Sequence, residues 1–265
     1  MKTLIKYFKI YRVLLSNSFS FEAQYRQDTI IKLLTNLVWV GMMFIVIEVI
    51  FLQTSAIAGW SKAEVYLMSV FWILADELFV ANFGNNLWSI PNYVTDGELD
   101  IFLTKPVTPL FLVSCRTILI RAFYRFFTQL FILAWLIWQF DFAPSLVHIV
   151  LAAFLILVAV MIDYARVLIA NTFSFWFLRI ENVNEAIGVI GSFGRYPLSI
   201  WPKTFKILFL TALPIAFSGF IPAATLTGRW PWYGILYAFL FAGFLFYIAV
   251  KFWNFALKRY SSASS

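Results

Sequence analysis

The residues of this chain that could do chemistry fall into two settings. One is a polar island, Gly97-Glu98-Leu99-Asp100-Ile101-Phe102-Leu103-Thr104-Lys105-Pro106-Val107-Thr108-Pro109, set between long apolar runs. The other is a sparse set of charges inside those runs: Asp76 beside Glu77, then Arg116, Arg121 and Arg125, then Asp163 followed by Arg166. Ionised groups within hydrocarbon are costly and face protein or water. Asp163 and Arg166 share a helix face. They read either as a polar spot on a path or subunit seam, or as a self-neutralised pair. Arg121 and Arg125 also share a face. Arg116 and Arg121 are placed to snorkel to the interface. At the deeper Arg125, snorkelling competes with neutralising Asp76 or Glu77 across a helix contact.

Other chemistries find no support. The phosphate-loop pattern G-x-x-x-x-G-K-[ST] is absent, and Gly-Lys never occurs, so the chain shows no means of its own to hydrolyse ATP. A single histidine, His148, rules out H-E-x-x-H and offers no Ser-His-acid set with neighbours. Its place beside the loop 141–144 reads as structural. A single cysteine, Cys115, permits neither an internal disulfide nor a thiolate metal cluster.

Composition sets the solvent. Of 265 residues, 62% are hydrophobic and 12% charged, with mean hydropathy +0.85. A soluble domain is roughly half apolar and about a quarter charged, so a water-soluble fold is excluded. The runs match a bilayer core of ~30 Å, about 20 helical residues. In lipid the backbone must satisfy its own hydrogen bonds, which makes the runs helices; uniformly apolar runs argue against barrel strands, which alternate. Net charge is +7. Lys2, Lys6, Lys9, Arg12, Arg26 and Lys32 precede the first span, and Lys258 and Arg259 follow the last. That bias places both termini in the cytoplasm, in a cell (inner or plasma) membrane. No soluble basic domain exists to bind nucleic acid. The basic start lacks a compact apolar core with a small-residue cleavage site and does not read as a signal peptide.

In chain order, 2–16 forms a helix with Leu4, Tyr7, Phe8, Ile10, Tyr11, Leu14 and Leu15 on one side and Lys2, Lys6, Lys9 and Arg12 on the other. This is an interfacial helix on lipid headgroups, either a plain anchor or a lever that shares in a partner contact. The chain turns over 19–26. Spans are expected at about 33–51, with Glu48 near its outer end, then 65–83, 118–140 and 149–178. Beyond Arg179, bare hydropathy makes 181–206 cytoplasmic and 207–222 the fifth span. The preferred solution has a tight turn at 179–182, a fifth span over 183–199, and an outer hairpin over 200–226 that dips into the membrane and returns. Pro202, Pro214 and Pro222 decide this, because Pro214 spoils a short span but suits a break between half-helices. A last span at 232–251 completes six. The whole is a single transmembrane domain, 1–265, with an interfacial helix at 1–30, a loop at 84–109 and the hairpin at 200–226.

The island has an acidic side in Asp96, Glu98 and Asp100 and an apolar side in Leu99, Phe102 and Leu103. Gly84, Pro91 and Gly97 punctuate it, and Pro106 and Pro109 end it stiffly. It suits either docking into a groove on a soluble partner or plain capping of the third span.

The run G-E-L-D-x-F-L-x-K-P-x-x-P-L-F at 97–111 resembles a signature of the bacterial ABC-2 type permease family, in a subgroup once called uncharacterised. Tyr25-Arg26, Phe175-Trp176, the run 195–202 (R-Y-P-L-S-I-W-P) and 213–217 (L-P-I-A-F) are similar to further family patterns, so the resemblance spans essentially the whole chain. It implies an all-α integral membrane fold of six transmembrane helices, with N-terminal interfacial amphipathic helix, cytoplasmic coupling helix and outer re-entrant hairpin. It implies a transport subunit rather than an enzyme. Two such permeases, identical or related, would pair around a path above two ABC ATPase subunits, which bind the ATP and Mg; this chain carries no cofactor or metal. The coupling element would lie within 85–105, its contact residues Asn85, Pro91, Asp96, Gly97, Glu98, Leu99, Asp100, Phe102, Lys105 and Pro106. An alternative function is an ion-gradient-driven secondary transporter or channel using Asp76, Glu77, Asp163 and Arg166; it would favour inverted repeats, and no convincing repeat appears.

Overall fold

The computed structural model describes residues 2–24, 26–177 and 182–260, and their regular structure is helical. Four helices are long and apolar enough to cross a membrane. They are α2 (Arg26–Phe51), α8 (Ile120–Gln139), α9 (Leu146–Thr172) and α13 (Trp232–Leu257). With α1 (Lys2–Gln24) and α3 (Lys62–Phe79) they make the frame. The short helices are α4 (Asn85–Trp88), α5 (Ile90–Thr95), α6 (Glu98–Leu103), α7 (Pro109–Cys115), α10 (Val183–Ser192), α11 (Lys203–Leu210) and α12 (Phe220–Leu226).

Although it carries Lys62, Glu64, Asp76 and Glu77, α3 is the central helix. Leu67, Met68, Val70, Phe71, Leu74 and Ala75 are all buried. Its start is fixed by a capping box in which Ser61 and Glu64 satisfy each other's backbone N–H groups. At its far end the helix widens into a π-turn, Val80–Gly84, and runs on into α4. By contrast, α2 lies at the edge, with Trp39, Val38, Ile45 and Val46 exposed.

Helices α9 and α13 run parallel in close contact. Phe154 meets Phe239 at 5.9 Å, Tyr164 meets Phe246 at 5.6 Å and Phe173 meets Phe252 at 5.0 Å. The sequence allows this approach because Gly234, Ala238, Ala242, Ala249 and Ala256 form one buried face of α13. Between helices in lipid, where the hydrophobic effect gives no net drive, small residues at contact positions let backbones pack closely.

The molecule thus has two ends. The loops 52–61, 140–145 and 227–231 meet at one: Arg229 donates to the Gly59 carbonyl at 2.9 Å and pairs with Glu64 at 2.9 Å. The island and α1 meet at the other, where the Tyr11 hydroxyl donates to Asn82 Oδ1 at 2.8 Å and Ser18 Oγ accepts from the Ile118 N–H at 3.2 Å. Three expected boundaries shift. Helix α1 continues to Gln24 rather than ending at 16. The third span starts at Ile120, separated from α7 by a break at 116–119. The fourth ends as α-helix at Thr172 with one 3-10 turn, Phe173–Phe175. The tight turn placed at 179–182 lies, apart from Asn182, outside the described residues.

A continuous fifth helix over 183–199 does not form. Helix α10 stops at Ser192 and gives way to 3-10 turns at Phe193–Arg195 and Leu198–Ile200. The reason lies in Pro197, which pushes the preceding Tyr196 to φ −107°, ψ 156°. The segment still runs from end to end. Asn184 bonds to Asn171 at 2.8 Å near the island, and Ser199 accepts from Trp60 Nε1 at 3.0 Å at the other end.

Next, 203–226 forms the two short helices α11 and α12, broken by a turn that contains Pro214, as the proline spacing predicts. Pro202 caps α11, and Pro222 sits in the first turn of α12, where a missing N–H costs little. The turn is locked by glycine contacts. A Cβ on Gly194 would lie 2.3 Å from the Ile215 carbonyl oxygen, and one on Gly219 would lie 2.5 Å from the Gly194 oxygen and 2.6 Å from that of Met68. Backbone atoms cannot retreat as side chains do, so Gly219→Ala is expected to cost ~3 kcal/mol or more, the upper range of overpacking. The check is the midpoint of thermal unfolding by fluorescence-detected size exclusion, with Gly243→Ala, which meets nothing within 4 Å, as the neutral control.

Candidate functional site

The island, taken with the loop residues from 84 that lead into it, folds as α4, α5 and α6 in succession. Gly97 separates the last two with φ 74°, a conformation that side chains disfavour. Its apolar residues turn inward: Leu87, Ile90, Val94, Leu99 and Phe102 are buried and pack with Val113, Tyr164, Leu168 and Trp253. This corrects the expected apolar docking edge, because Leu99 and Phe102 belong to the core. The reason is that α9 and α13 extend past the bilayer length and offer an apolar wall there. What faces outward is Asn85, Trp88, Asn92, Thr95, Asp96, Ile101, Leu103, Thr104, Lys105 and Pro106. Pro91, Gly97, Glu98 and Asp100 are half-buried.

Arg116 does not snorkel, as its sequence position had suggested. It turns back on the island, pairing with Glu98 at 2.7 Å and covering the rings of Tyr93 and Phe102 at 5.5 and 5.4 Å. The Glu98 hydrogen bond pushes the Arg116 pKa further up. Both side chains keep 45% of their surface in contact with solvent, so the pair orients more than it stabilises. Arg121 forms no ion pair among the described residues.

Two features link the island to the rest. On α1, Tyr7, Ile10, Tyr11, Leu14 and Ser18 face the protein at helical spacing, while Phe8 and Val13 point away. The Lys6 ammonium donates to the Pro106 carbonyl, and the Tyr7 hydroxyl accepts from the Thr108 N–H at 3.1 Å. Those Thr108 contacts hold the Tyr7 pKa below its ordinary value. The second feature, Asn86, went unnoticed in the sequence. It is buried, donates to the Ser114 and Thr117 carbonyls at 3.1 and 2.7 Å, and accepts from the Thr117 N–H and hydroxyl at 2.9 and 2.7 Å. The Asn85-Asn86 pair between Gly84 and Leu87 was the available signal. Asn86 staples the break between α7 and α8 by satisfying backbone groups that the break leaves open.

Within the apolar layer, Arg125 on α8 holds Glu77 on α3 through Nη2 at 2.7 Å and Nε at 2.9 Å, and Asn36 of α2 reaches the same carboxylate at 3.4 Å. Asp163 and Arg166 pair along α9 at 2.6 Å. The pair is also a junction. Ser218 of the hairpin turn donates to Asp163 at 3.2 Å, and Arg166 reaches the Ile187 carbonyl of α10 at 3.5 Å. Thus Glu77 and Arg125 come together as a cross-helix pair, and Asp163 and Arg166 as a local pair. Asp76 joins neither pair; it is half-buried in the lining of a cleft, with Arg125 and Arg166 acting on it from beyond contact. Pro202 and Pro222 sit at the starts of α11 and α12, and Pro214 lies in the turn between them. No group of three or more potential metal ligands occurs among the described residues.

An all-helical protein with several membrane-length helices, a compact island at one end and paired charges in its apolar layer is a multi-pass membrane protein built around polar seams. The profile of the ABC-2 family transporter proteins matches residues 37–264, and the chain belongs to that family. No curated protein matches it. Breaking a buried pair strands the surviving charge, which costs about 3–5 kcal/mol. Arg125→Ala is therefore expected to destabilise far more than the double change Arg125→Leu with Glu77→Leu, measured by thermal unfolding in detergent. In the same assay Asn86→Ala is expected to cost roughly 2–3 kcal/mol, since it leaves several buried backbone groups unpaired.

Proposed function

We propose that this ABC-2 transporter protein is the permease subunit of an ATP-driven exporter, moved by ATPase subunits that dock on the island. The observation that carries this is the build of the island. It is a rigid multi-helix platform seated on α9 and α13, with a polar outer face and a direct tie to α1. A loop that merely capped a span would not need a buried apolar core of its own. Family membership supports the ATP-driven reading, since the chain carries no nucleotide motif and the energy must enter through a contact.

In this proposal the chain crosses the bilayer six times, by α2, α3, α8, α9, the broken segment 183–200 and α13. The island and both termini are cytoplasmic, as the Lys6, Lys9, Arg12, Lys105, Lys258 and Arg259 charges at that end favour. The hairpin of α11 and α12 is re-entrant from the outside, its polar tip at Ser218 buried against Asp163, which suits irregular backbone at membrane depth. A second permease, identical or related, covers the exposed flank of α2. ATP and Mg bind to the ATPase subunits.

With Leu99 and Phe102 committed to the core, the contact falls to the outward face that includes Asn85, Trp88, Asp96, Ile101 and Lys105. Closure of the ATPase subunits pushes this platform, and α9 and α13 carry the motion to the Asp163 junction and the hairpin. The test is affinity purification of the full chain from its native membrane. An ATPase subunit is expected to co-purify, and Asp96→Arg is expected to reduce its recovery at least about tenfold, a loss of ~1.4 kcal/mol, without shifting the unfolding midpoint. Recovery of the chain with no ATPase, together with ATP-independent transport that collapses with the ion gradient, would point instead to the secondary-transporter alternative.

A further inference from the structure

The charges in the apolar layer sum to zero yet do not all pair. Three acids, Asp76, Glu77 and Asp163, face three arginines, Arg125, Arg166 and Arg195. Glu77 with Arg125 and Asp163 with Arg166 are ion pairs. Among the described residues, Asp76 and Arg195 form no ion pair with each other or with any other group, and neither side chain makes a hydrogen bond. The Nε of Arg195 is buried without a partner. Its guanidinium instead rests on the rings of Trp72 and Tyr196, at 5.8 and 5.1 Å.

Both orphan charges line one cleft of about 470 Å³ between α2, α3 and the break at 195–196. The Arg195 guanidinium lies beside the Trp72 ring, and Asp76 follows Trp72 by one helical turn on α3, toward the island. The other half of the cleft, toward the hairpin end, is apolar, with Met43 and Ile47 on its wall. Its mouth passes Trp39, which is 69% exposed, and so opens sideways from the bundle.

From this geometry we infer that the cleft binds a zwitterionic amphiphile in a fixed polarity: an apolar tail along Met43 and Ile47, a phosphate-like anion on Arg195, and an ammonium beyond it on Asp76. Charges without an ion-pair partner in a low-dielectric site carry a desolvation cost, which the more distant Arg125 and Arg166 only partly offset at Asp76, and a ligand that carries both charges gives each a contact partner. The tail-anion-cation order follows from the position of Arg195 between the apolar half and Asp76. An amphiphile with the reverse order, or with one charge alone, leaves one group unpaired. Two sources share this chemistry: a bilayer phospholipid with an ammonium head, and an exported amphiphile. Only the word cargo rests on the permease reading. Binding belongs to the isolated chain and stands or falls without any ATPase.

The experiment uses the full chain in nanodiscs of phosphatidylglycerol, without ATP or partners, and a diazirine-bearing alkylphosphocholine as probe. Photolabel is expected on peptides covering 36–47 or 69–77. Dodecylphosphocholine should compete at an about tenfold lower concentration than dodecyl sulfobetaine (the reversed dipole), dodecyl phosphate or dodecyltrimethylammonium. Asp76→Asn should erase the preference over dodecyl phosphate, and Arg195→Gln the preference over dodecyltrimethylammonium. Met43→Trp, which fills the apolar half and leaves both charges, should block labelling; it keeps the test decisive where a charge variant fails to elute as a folded species. Protection on replacing phosphatidylglycerol by phosphatidylethanolamine assigns the site to a bilayer lipid; labelling unchanged by that replacement assigns it to an exported amphiphile. Equal competition by all four compounds, or labelling outside the cleft, overturns the inference.

Discussion

Charge in a medium without water is the constraint on which this structure turns. A carboxylate or guanidinium held at membrane depth is costly without an opposite charge beside it, and the pairs that form here also fasten the helices. Glu77 and Arg125 join α3 to α8. Asp163 and Arg166, with Ser218 and the Ile187 carbonyl, join α9 to the hairpin and to the broken segment. The apolar contacts that surround these pairs are extensive but unspecific in direction, because lipid tails satisfy leucine as well as another leucine does. Polar contacts and small residues therefore set which helix lies beside which.

The same logic extends to the backbone. Where α-helical hydrogen bonding stops within the layer, other groups take over. Asn86 satisfies the break between α7 and α8. The Gly194 and Gly219 contacts let three backbone segments meet where a side chain would hold them apart. Within the irregular stretches, Ile118, Gly194, Pro197, Leu198 and the turn 214–219 are buried by neighbouring elements, which is the condition for such backbone inside a membrane. Motion transmitted from the island would reach these breaks first, since a helix transmits a push while a broken segment changes angle.

Much of this was legible in advance. The apolar runs gave the long helices because the required length and the absence of water leave the backbone no other choice. The Pro214 break gave the two short helices of the hairpin, and Gly97 gave the hinge inside the island. Asp163 and Arg166 could be paired from their spacing alone. Arg125 could be matched to the acidic pair of α3 but not to one member of it, because adjacent residues on a helix point about 100° apart and only packing decides which faces α8. The turning inward of Leu99 and Phe102 was not legible. An amphipathic surface segment looks the same whether its apolar edge faces a partner or its own chain.

By itself, then, the sequence determined the solvent, the helical class, the family and the inventory of buried charge, since these depend on composition, run length and local motif. Tertiary structure decided the pairing of that charge, the role of Asn86, the fold of 183–200 and the outward face of the island. Those outcomes depend on residues far apart in the chain, such as Trp60 with Ser199 or Asn86 with Thr117, whose meeting no local pattern encodes. The cleft with Asp76 and Arg195 is the sharpest case. Each is an ordinary charged residue in sequence, and only their place in the lining of one cleft, neither in an ion pair, gives them a joint meaning.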